Sequence, residues 1–427
     1  MGVATTYNPE GNDAAWPSAA GEPELLLPSS FARLTAVLLA ALVAAAPAFS
    51  ADPPRETTSQ PAFAPSTVVT PMRDAPPAPL PRADQPAAPG DKPATAAKAP
   101  IAEGPAPHVA LILPMASPQL GRVADSVRLG FFAAAEVAGK NAVPVRVYST
   151  ADDGAGAIAA CQKAQLDGAV LVVAGLTRDG ATGLARSDCP RQPTLVLNQP
   201  QDPDLPARMF AISLAAEQEA RQAALMAVND GWTQAIVIAS PSPLARRVQE
   251  AFEKEWGRAA GEVRRVAFSG VPDDAPAIKE RIASLKGDMV FLALDSAATR
   301  AVRPYISGTL PIYTTSLSVD PRAEPTVNVD LEGVRYVDMP WFVQPDHPAV
   351  MVYPQPTTSM AVEQERLYAL GIDAYRLALL LLKPDPKGLR LDGVTGRITL
   401  GADRHFSRTL VPAGFDAGRA VATGPAP

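Results

Sequence analysis

The run HVALIL, residues 108–113, decides the fold. It is uninterrupted by charge and ends at Pro114, which is typical of a strand buried on both faces of a parallel sheet. From Leu120 to Val137, apolar residues then recur at helical spacing. Apolar runs such as Ala169–Ala174 (AVLVVA) and Met289–Leu294 (MVFLAL) alternate with further helical segments. This alternation predicts βαβ units around parallel sheets.

The alternation falls into two similar halves without a linker between them. We expect a first lobe over about 108–213 and a second over about 214–316. The segments from 317 to 421, which include a long predicted helix from Met360 to Leu382, would be shared between the lobes. The predicted fold class is α/β: two parallel-sheet αβα sandwiches joined by interlobe crossovers.

Composition excludes several function classes. The 427 residues carry 38 Lys and Arg against 44 Asp and Glu, a net charge of −6, which offers no electrostatic footprint for nucleic acid. Apolar residues make up 47% and charged residues 19%, enough for a sizeable core. With three His and two Cys the chain has little material for a metal site, and we expect neither metal nor cofactor.

The N-terminal region, 1–51, has the features of an export signal. Leu34–Ala46 (LTAVLLAALVAAA) follows Arg33 and is too short to span roughly 30 Å of hydrocarbon as a helix. Small residues fit cleavage after Ser50 or after Ala48; the alternative is an uncleaved anchor. The first 30 residues hold acidic residues and no Lys or Arg, so we expect the true start downstream of Met1.

Residues 52–107 predict a disordered tether. About half of this segment is proline and alanine, and nothing bulky enough to build a core is present. Phe63 and the pair Val68-Val69 offer an alternative, a short docking motif. No Cys lies near the cleavage site, so the sequence shows no lipobox. We therefore expect an exported, periplasmic protein without a stable membrane span; outer-membrane association is possible but has no support in the sequence.

Three later segments resemble a known family. GVRYVDMPWFVQPDHPAVMVYP (333–354), ERLYALGIDAYRLALLLL (365–382) and DGVTGRITL (392–400) resemble the C-terminal domain of the LppC/LpoA family, activators of penicillin-binding proteins. The opening segment HVALILPMASPQLGRVADSVRLGFFAA (108–134) resembles type I periplasmic binding proteins. Here a Pro/Ala linker stands where the best-known members have a helical-repeat domain.

The resemblance implies a type I periplasmic binding protein-like fold and a non-catalytic regulator. Its partner would be a bifunctional penicillin-binding protein, whose peptidoglycan synthesis it stimulates. The alternative is a solute receptor, which binds an amino acid or similar small molecule for an ABC importer or a sensor.

A ligand site would lie beyond the carboxyl ends of the strands. Amino-acid-binding relatives hold the carboxylate with hydroxyls and amides of the first lobe and the ammonium with an acid of the second. Thr177 and Asp295 stand where such groups could act. The other interpretation is a set of ordinary strand-end caps in a cleft that binds nothing. The candidate residues are Ser117, Thr177, Asn198, Gln199, Ser240 and Asp295.

The proline-rich loop from Pro340 to Pro356 holds more apolar surface than a connection needs. Trp341, Phe342 and Tyr353 either pack across the seam between the lobes or present a partner-binding ridge.

Cys161 and Cys189 are expected to form a disulfide, since an exported chain with two cysteines usually pairs them. The alternative is a buried free thiol at Cys161.

No catalytic residues are predicted. No G-x-S-x-G, H-E-x-x-H or C-x-x-C motif occurs, and the Asp346-His347 pair is typical of a structural loop. Gly154–Ala159 matches G-x-G-x-x-A, but Asp152 and Asp153 precede it where a phosphate would sit. We therefore expect a flexible helix entry there.

Overall fold

The computed structural model describes residues 105–189, 191–356, 360–384, 386 and 388–424. The predicted export signal and residues 52–104 of the predicted tether lie outside the described residues.

The first lobe is built on a five-stranded parallel sheet in the order β2-β1-β3-β4-β5. All six residues of the first strand are buried, and alternate side chains face opposite layers. Leu111 packs in the core that includes the first helix, and Ile112 in the core that includes the second and third. The elements are β1 (His108–Leu113), α1 (Gly121–Ala138), β2 (Val145–Ser149), α2 (Ala155–Leu166), β3 (Ala169–Ala174), α3 (Arg178–Ala185), β4 (Thr194–Val196) and β5 (Met209–Ala211).

The second lobe repeats this pattern. Five of its strands form a parallel array in the order β7-β6-β8-β9-β10. Its elements are α4 (Ala216–Asn229), β6 (Ala235–Ala239), α5 (Pro243–Ala259), β7 (Val263–Ala267), α6 (Ala277–Ala283), β8 (Met289–Ala293), α7 (Ser296–Val302), β9 (Ile312–Thr314), α8 (Pro325–Asn328) and β10 (Val334–Asp338).

The C-terminal segments complete both lobes. They contain α9 (Pro340–Val343), α10 (Pro348–Met351), α11 (Val362–Leu381), β11 (Arg390–Gly393), β12 (Gly396–Leu400), β13 (Phe406–Thr409), β14 (Val411–Asp416) and β15 (Arg419–Ala422). Strands β14 and β15 add an antiparallel pair beside β10, which makes the second sheet seven-stranded. Strands β11, β12 and β13 form a separate antiparallel sheet that the sequence analysis did not anticipate. No helix in the described part of the chain is long and apolar enough to cross a membrane.

Helix α11 packs against α1 of the first lobe at an unusually close crossing. A Cβ on Gly130 would overlap the carbonyl oxygen of Tyr368, and one on Gly371 would overlap that of Val127. Only glycine allows the two backbones to approach in this way. Phe131 and Tyr375 pack edge to face beside the crossing, with ring centroids 5.1 Å apart.

The expected disulfide is present and joins α2 to the segment after α3. Cys161 and Cys189 are buried, and their Cα atoms lie 6.2 Å apart. We expect the double variant Cys161→Ala/Cys189→Ala to lose about 3 kcal/mol of unfolding free energy, because the bond closes a loop across a separation of 28 residues. Urea unfolding without reductant measures this loss, and reduced wild-type protein should match the variant. Equal midpoints for oxidised wild type and variant would contradict the expectation.

Candidate functional site

The two lobes meet at a cavity of about 320 Å³, here called the interlobe cavity. Seven of its fourteen lining residues are leucine, contributed by both lobes and by α11. Apolar side chains dominate this lining, and five polar residues complete it, three of them charged. The leucines are Leu176, Leu197, Leu214, Leu244, Leu317, Leu367 and Leu370.

Ion pairs occupy the polar part of this lining. Glu217 on α4 lies 3.0 Å from Arg247 on α5 and 3.9 Å from Arg178 on α3. One carboxylate thus links a helix of the first lobe to a helix of the second. A zwitterionic ligand would compete with these existing charge partners.

Three of the predicted cleft residues serve as local caps. The Thr177 hydroxyl accepts the Gly180 N–H at 3.0 Å and begins α3. The Asp295 carboxylate accepts the Ala298 N–H at 2.8 Å and begins α7. The Ser117 hydroxyl is buried and accepts a backbone N–H at 3.3 Å. All three side chains therefore act as ordinary caps at the ends of strands, the second of the two interpretations given for them above.

The remaining three line different cavities. Asn198 lines the interlobe cavity, where its amide donates to the Leu176 carbonyl at 3.0 Å. Gln199 lines a cavity of about 590 Å³, and Ser240 lines one of about 790 Å³ at the far edge of the second sheet. Asp295 lines a fourth, of about 150 Å³. The structure therefore does not bring the six predicted residues together in one cleft.

The proline-rich loop packs inward. Trp341 and Phe342 on α9 are only 1% and 7% exposed. The prediction that these two side chains present a partner-binding ridge is therefore wrong. Trp341 donates its indole N–H to Glu365 on α11 at 2.8 Å, while α9 also contacts β14 and β15. Their apolar surface fills the seam between α11 and the second lobe. Tyr353 is half-buried, 5.9 Å from the Arg376 guanidinium.

A buried ion pair joins the second sheet to α11, the helix that packs against the first lobe. Asp338, at the end of β10, accepts two hydrogen bonds from the Arg366 guanidinium on α11, at 2.5 and 3.0 Å. Asp338 is 1% exposed, and the Arg366 side chain is 11% exposed. A charge that is removed from water is strongly destabilising when it lacks its partner. The pair therefore fixes α11 against the second sheet.

Two more buried charges surround that pair. Glu219 on α4 accepts the Ser316 N–H at 2.9 Å, and Arg408 on β13 donates to the carbonyls of Ser213 and Thr395 at 2.9 and 3.0 Å. Burial raises the pKa of Glu219, opposed by the nearby Arg366. Burial lowers the pKa of Arg408, opposed by Glu219. The cluster connects the second lobe, α11 and the three-stranded sheet.

Asp373 on α11 holds that three-stranded sheet in place. It is fully buried and accepts hydrogen bonds from the Val394 N–H at 3.1 Å and from the N–H and hydroxyl of Thr395 at 2.8 and 2.7 Å. Burial raises its pKa, and Arg376 opposes the rise. The β11–β12 turn is therefore tied to the helix by one carboxylate.

The raised pKa of Glu219 makes stability depend on pH. A carboxyl whose pKa is higher in the folded than in the unfolded state binds its proton more readily when folded, so stability is lost as pH rises through the folded value. We expect Glu219→Gln to gain stability relative to wild type as pH rises from about 4.3, the ordinary glutamate pKa. Urea midpoints measured from pH 4 to 8 give the difference.

The exposed variant Glu250→Gln controls for the loss of one negative charge. A stability difference between Glu219→Gln and wild type that stays constant over this range would contradict the expectation.

The pattern of the sequence did not predict this charged cluster. Charged residues are mostly exposed, and nothing in single-sequence periodicity separates a buried pair from a surface one. One signal was present: Asp338 and Arg366 both lie inside the segments that resemble the family.

Neither a phosphate-binding turn nor a metal site is formed by the described residues that were considered for them. Asp152 accepts the N–H groups of Gly154 and Gly156 at 2.8 and 3.0 Å, so the amides that a phosphate would need are already occupied. Within the described residues, no group of three or more His, Cys, Asp or Glu side chains is placed to hold a metal ion. The buried charged side chains described above instead bond helices and strands of the fold to one another.

Comparison with known proteins places the chain in a family. Residues 100–418 match the family described as "LppC putative lipoprotein". The chain belongs to the LppC family. The resemblance noted in the sequence, and the type I periplasmic binding protein-like fold it implied, are thereby confirmed.

Two curated relatives of the chain carry the same name. The chain is 26% identical over 313 residues to "Penicillin-binding protein activator LpoA" of Pantoea ananatis, which covers 62% of this chain and 46% of that one. It is 27% identical over 297 residues to the protein of that name from Klebsiella pneumoniae, covering 61% and 42%. The chain thus spans less than half the length of these relatives.

Solved structures agree on the fold. The "LpoA (YraM) C-domain from Haemophilus influenzae, a regulator of PBP1A" aligns with a TM-score of 0.62 at 22% identity, covering 74% of this chain and all of that one. A "putative branched-chain amino acid ABC transporter from Chromobacterium violaceum" aligns with a TM-score of 0.62 at 37% identity, covering 72% and 99%.

Proposed function

We propose that this LppC-family chain is a non-catalytic activator of a bifunctional penicillin-binding protein and stimulates peptidoglycan synthesis in the periplasm. The observation that carries the proposal is the junction of the lobes: the interlobe cavity is lined largely by leucine, Glu217 is paired with Arg247 in its lining, and the buried Asp338–Arg366 pair fixes α11 to the second sheet. A receptor must open and close around its solute. A domain held in one arrangement suits a platform for a protein partner.

The names of the relatives support the same partner class. Penicillin-binding proteins act outside the cytoplasmic membrane, and the apolar segment Leu34–Ala46 is consistent with that compartment.

Reconstitution tests the proposal. The full chain is added to the organism's own bifunctional penicillin-binding proteins, with glycan polymerisation and peptide crosslinking followed on lipid II. We expect a several-fold, saturable rise in at least one of the two activities. The same addition of heat-unfolded chain is the control, and a rate unchanged by native chain with every such enzyme would overturn the proposal.

The solute receptor stays a second candidate because of the 37% identity to the putative amino-acid transporter component. A bound solute raises the melting temperature by mass action, and the rise grows with solute concentration. Under our proposal, none of the twenty amino acids at millimolar concentration shifts the melting temperature. A concentration-dependent rise with any of them would favour the receptor instead.

A further inference from the structure

Strand β7 forms one edge of the second sheet and pairs only with β6. The N–H of Phe268, just after β7, donates to the Ala239 carbonyl in β6. Since backbone groups of successive strand residues point to opposite edges, those of Val263, Arg265 and Ala267 point away from β6. No second strand pairs with β7, and these three outward N–H groups donate to no acceptor among the described residues.

A groove of about 790 Å³ runs beside this free edge. We call it the edge groove; residues of α5 and α6 line it, together with the buried Phe268. Its volume is in the range of clefts that hold peptides and small ligands, roughly 300–1,000 Å³. Its lining includes Arg246, Arg265, Ala267, Phe268, Arg281 and Leu285.

The edge groove carries unbalanced positive charge. Arg265 is paired with Glu253 at 2.6 Å, and Arg281 with Asp274 at 3.1 Å. Arg246 is exposed and forms no ion pair with any residue that the structure describes. An anionic group of a partner would therefore find a free guanidinium there.

A second basic group flanks the other end of β7. A cavity of about 410 Å³ is lined by Arg264, Glu262 and Lys286. Arg264 is paired with Glu262 at 2.8 Å, which leaves the Lys286 ammonium without an ion pair in the described part of the chain. Cations without an ion pair thus lie near both ends of this edge strand.

We propose that β7 is the docking edge for an extended, acidic segment of the penicillin-binding protein, which adds a strand to the second sheet; this rests on the proposed function. The backbone of the segment would form hydrogen bonds with the backbone N–H and C=O of Arg265 and with the N–H of Ala267. Its carboxylates would approach the side chains of Arg246 and Lys286. Arg281 already donates to the Ala267 carbonyl at 2.9 Å and marks the end of the pairing. A small anion could meet the free cations but would leave the row of outward backbone groups unpaired.

Ala267→Pro tests the backbone part of the proposal. Proline removes one outward N–H, and edge strands tolerate it because that N–H does not bond to β6. The Ala267 side chain is exposed, so no packing is lost, and Ala267→Val is a matched control that keeps the N–H. We expect about tenfold weaker binding of full-length Ala267→Pro to the organism's bifunctional penicillin-binding protein, as loss of a backbone hydrogen bond implies, and little change for Ala267→Val.

A second variant and a second measurement keep the test independent of folding. Arg246→Glu should weaken binding more at low than at high salt, whereas Arg258→Glu, at the exposed far end of α5, should not. Hydrogen exchange on wild-type protein should show slower exchange of the Arg265 and Ala267 amides in the complex.

The outcomes separate the two proposals. Wild-type chain that binds no penicillin-binding protein overturns the proposed function and this docking edge with it. Wild-type chain that binds, with equal affinity for Ala267→Pro and unchanged exchange at β7, overturns the docking edge alone.

Discussion

Gly371→Leu is expected to lower the unfolding free energy by about 3 kcal/mol or more, the upper end of the cost of overpacking a core. The Cβ of any larger residue at this position would overlap the Val127 carbonyl oxygen and approach the Phe131 nitrogen, both backbone atoms of α1. Backbone atoms cannot change rotamer, so the two helices would have to separate. Separation would expose the Phe131 and Tyr375 rings that pack beside the crossing.

The chain offers a matched control for this substitution. Gly257 lies within α5, and a Cβ there would have open space around it. Because leucine has the higher helix propensity, Gly257→Leu is expected to be neutral or slightly stabilising. Urea unfolding followed by circular dichroism compares the two variants. A Gly371→Leu midpoint equal to that of wild type would show that α1 and α11 do not need their close approach.

Arg366→Met is expected to cost about 3–5 kcal/mol, because it leaves the Asp338 carboxylate buried without its cation. Methionine keeps much of the side-chain volume, so the loss reports the charge more than the packing. The double variant Asp338→Asn/Arg366→Met should recover much of the loss, since it removes both charges. Denaturant midpoints of the single and double variants give the coupling between the two residues.

An exposed ion pair calibrates that measurement. Arg186 and Asp202 lie 2.8 Å apart with about 60% of each side chain exposed, and breaking such a pair costs at most about 1 kcal/mol. Arg186→Met should therefore change the midpoint little. Losses of similar size for Arg186→Met and Arg366→Met would contradict a special role for the interlobe pair.

The sequence predicted the parallel elements well because their signal is local. Continuous apolar runs such as HVALIL became buried strands, and the helix predicted over Met360–Leu382 is present as Val362–Leu381. The two cysteines pair as expected from the predicted export signal and the presence of only two cysteines in the sequence. Both kinds of inference need only residue type and short-range spacing.

The missed features depend on contacts between distant residues. The loop from 340 to 356 contains two short helices, and Trp341 is buried there because α11 lies against it. The predicted cleft residues lie apart in the structure for a related reason. Thr177 and Asp295 do stand at strand ends, but each hydroxyl or carboxylate caps its own helix, and the sequence does not show where the leucines of both lobes converge.

The crossing of α1 and α11 also sets how much of the chain must be made before the first lobe can be completed. The Val143 N–H donates to the Tyr375 hydroxyl, whose residue is made 232 positions later. At 5–20 residues per second, the apolar face of α1 waits roughly 10–50 s for its partner helix to emerge. A chain that ends before residue 371 would therefore lack the helix that covers this face of α1.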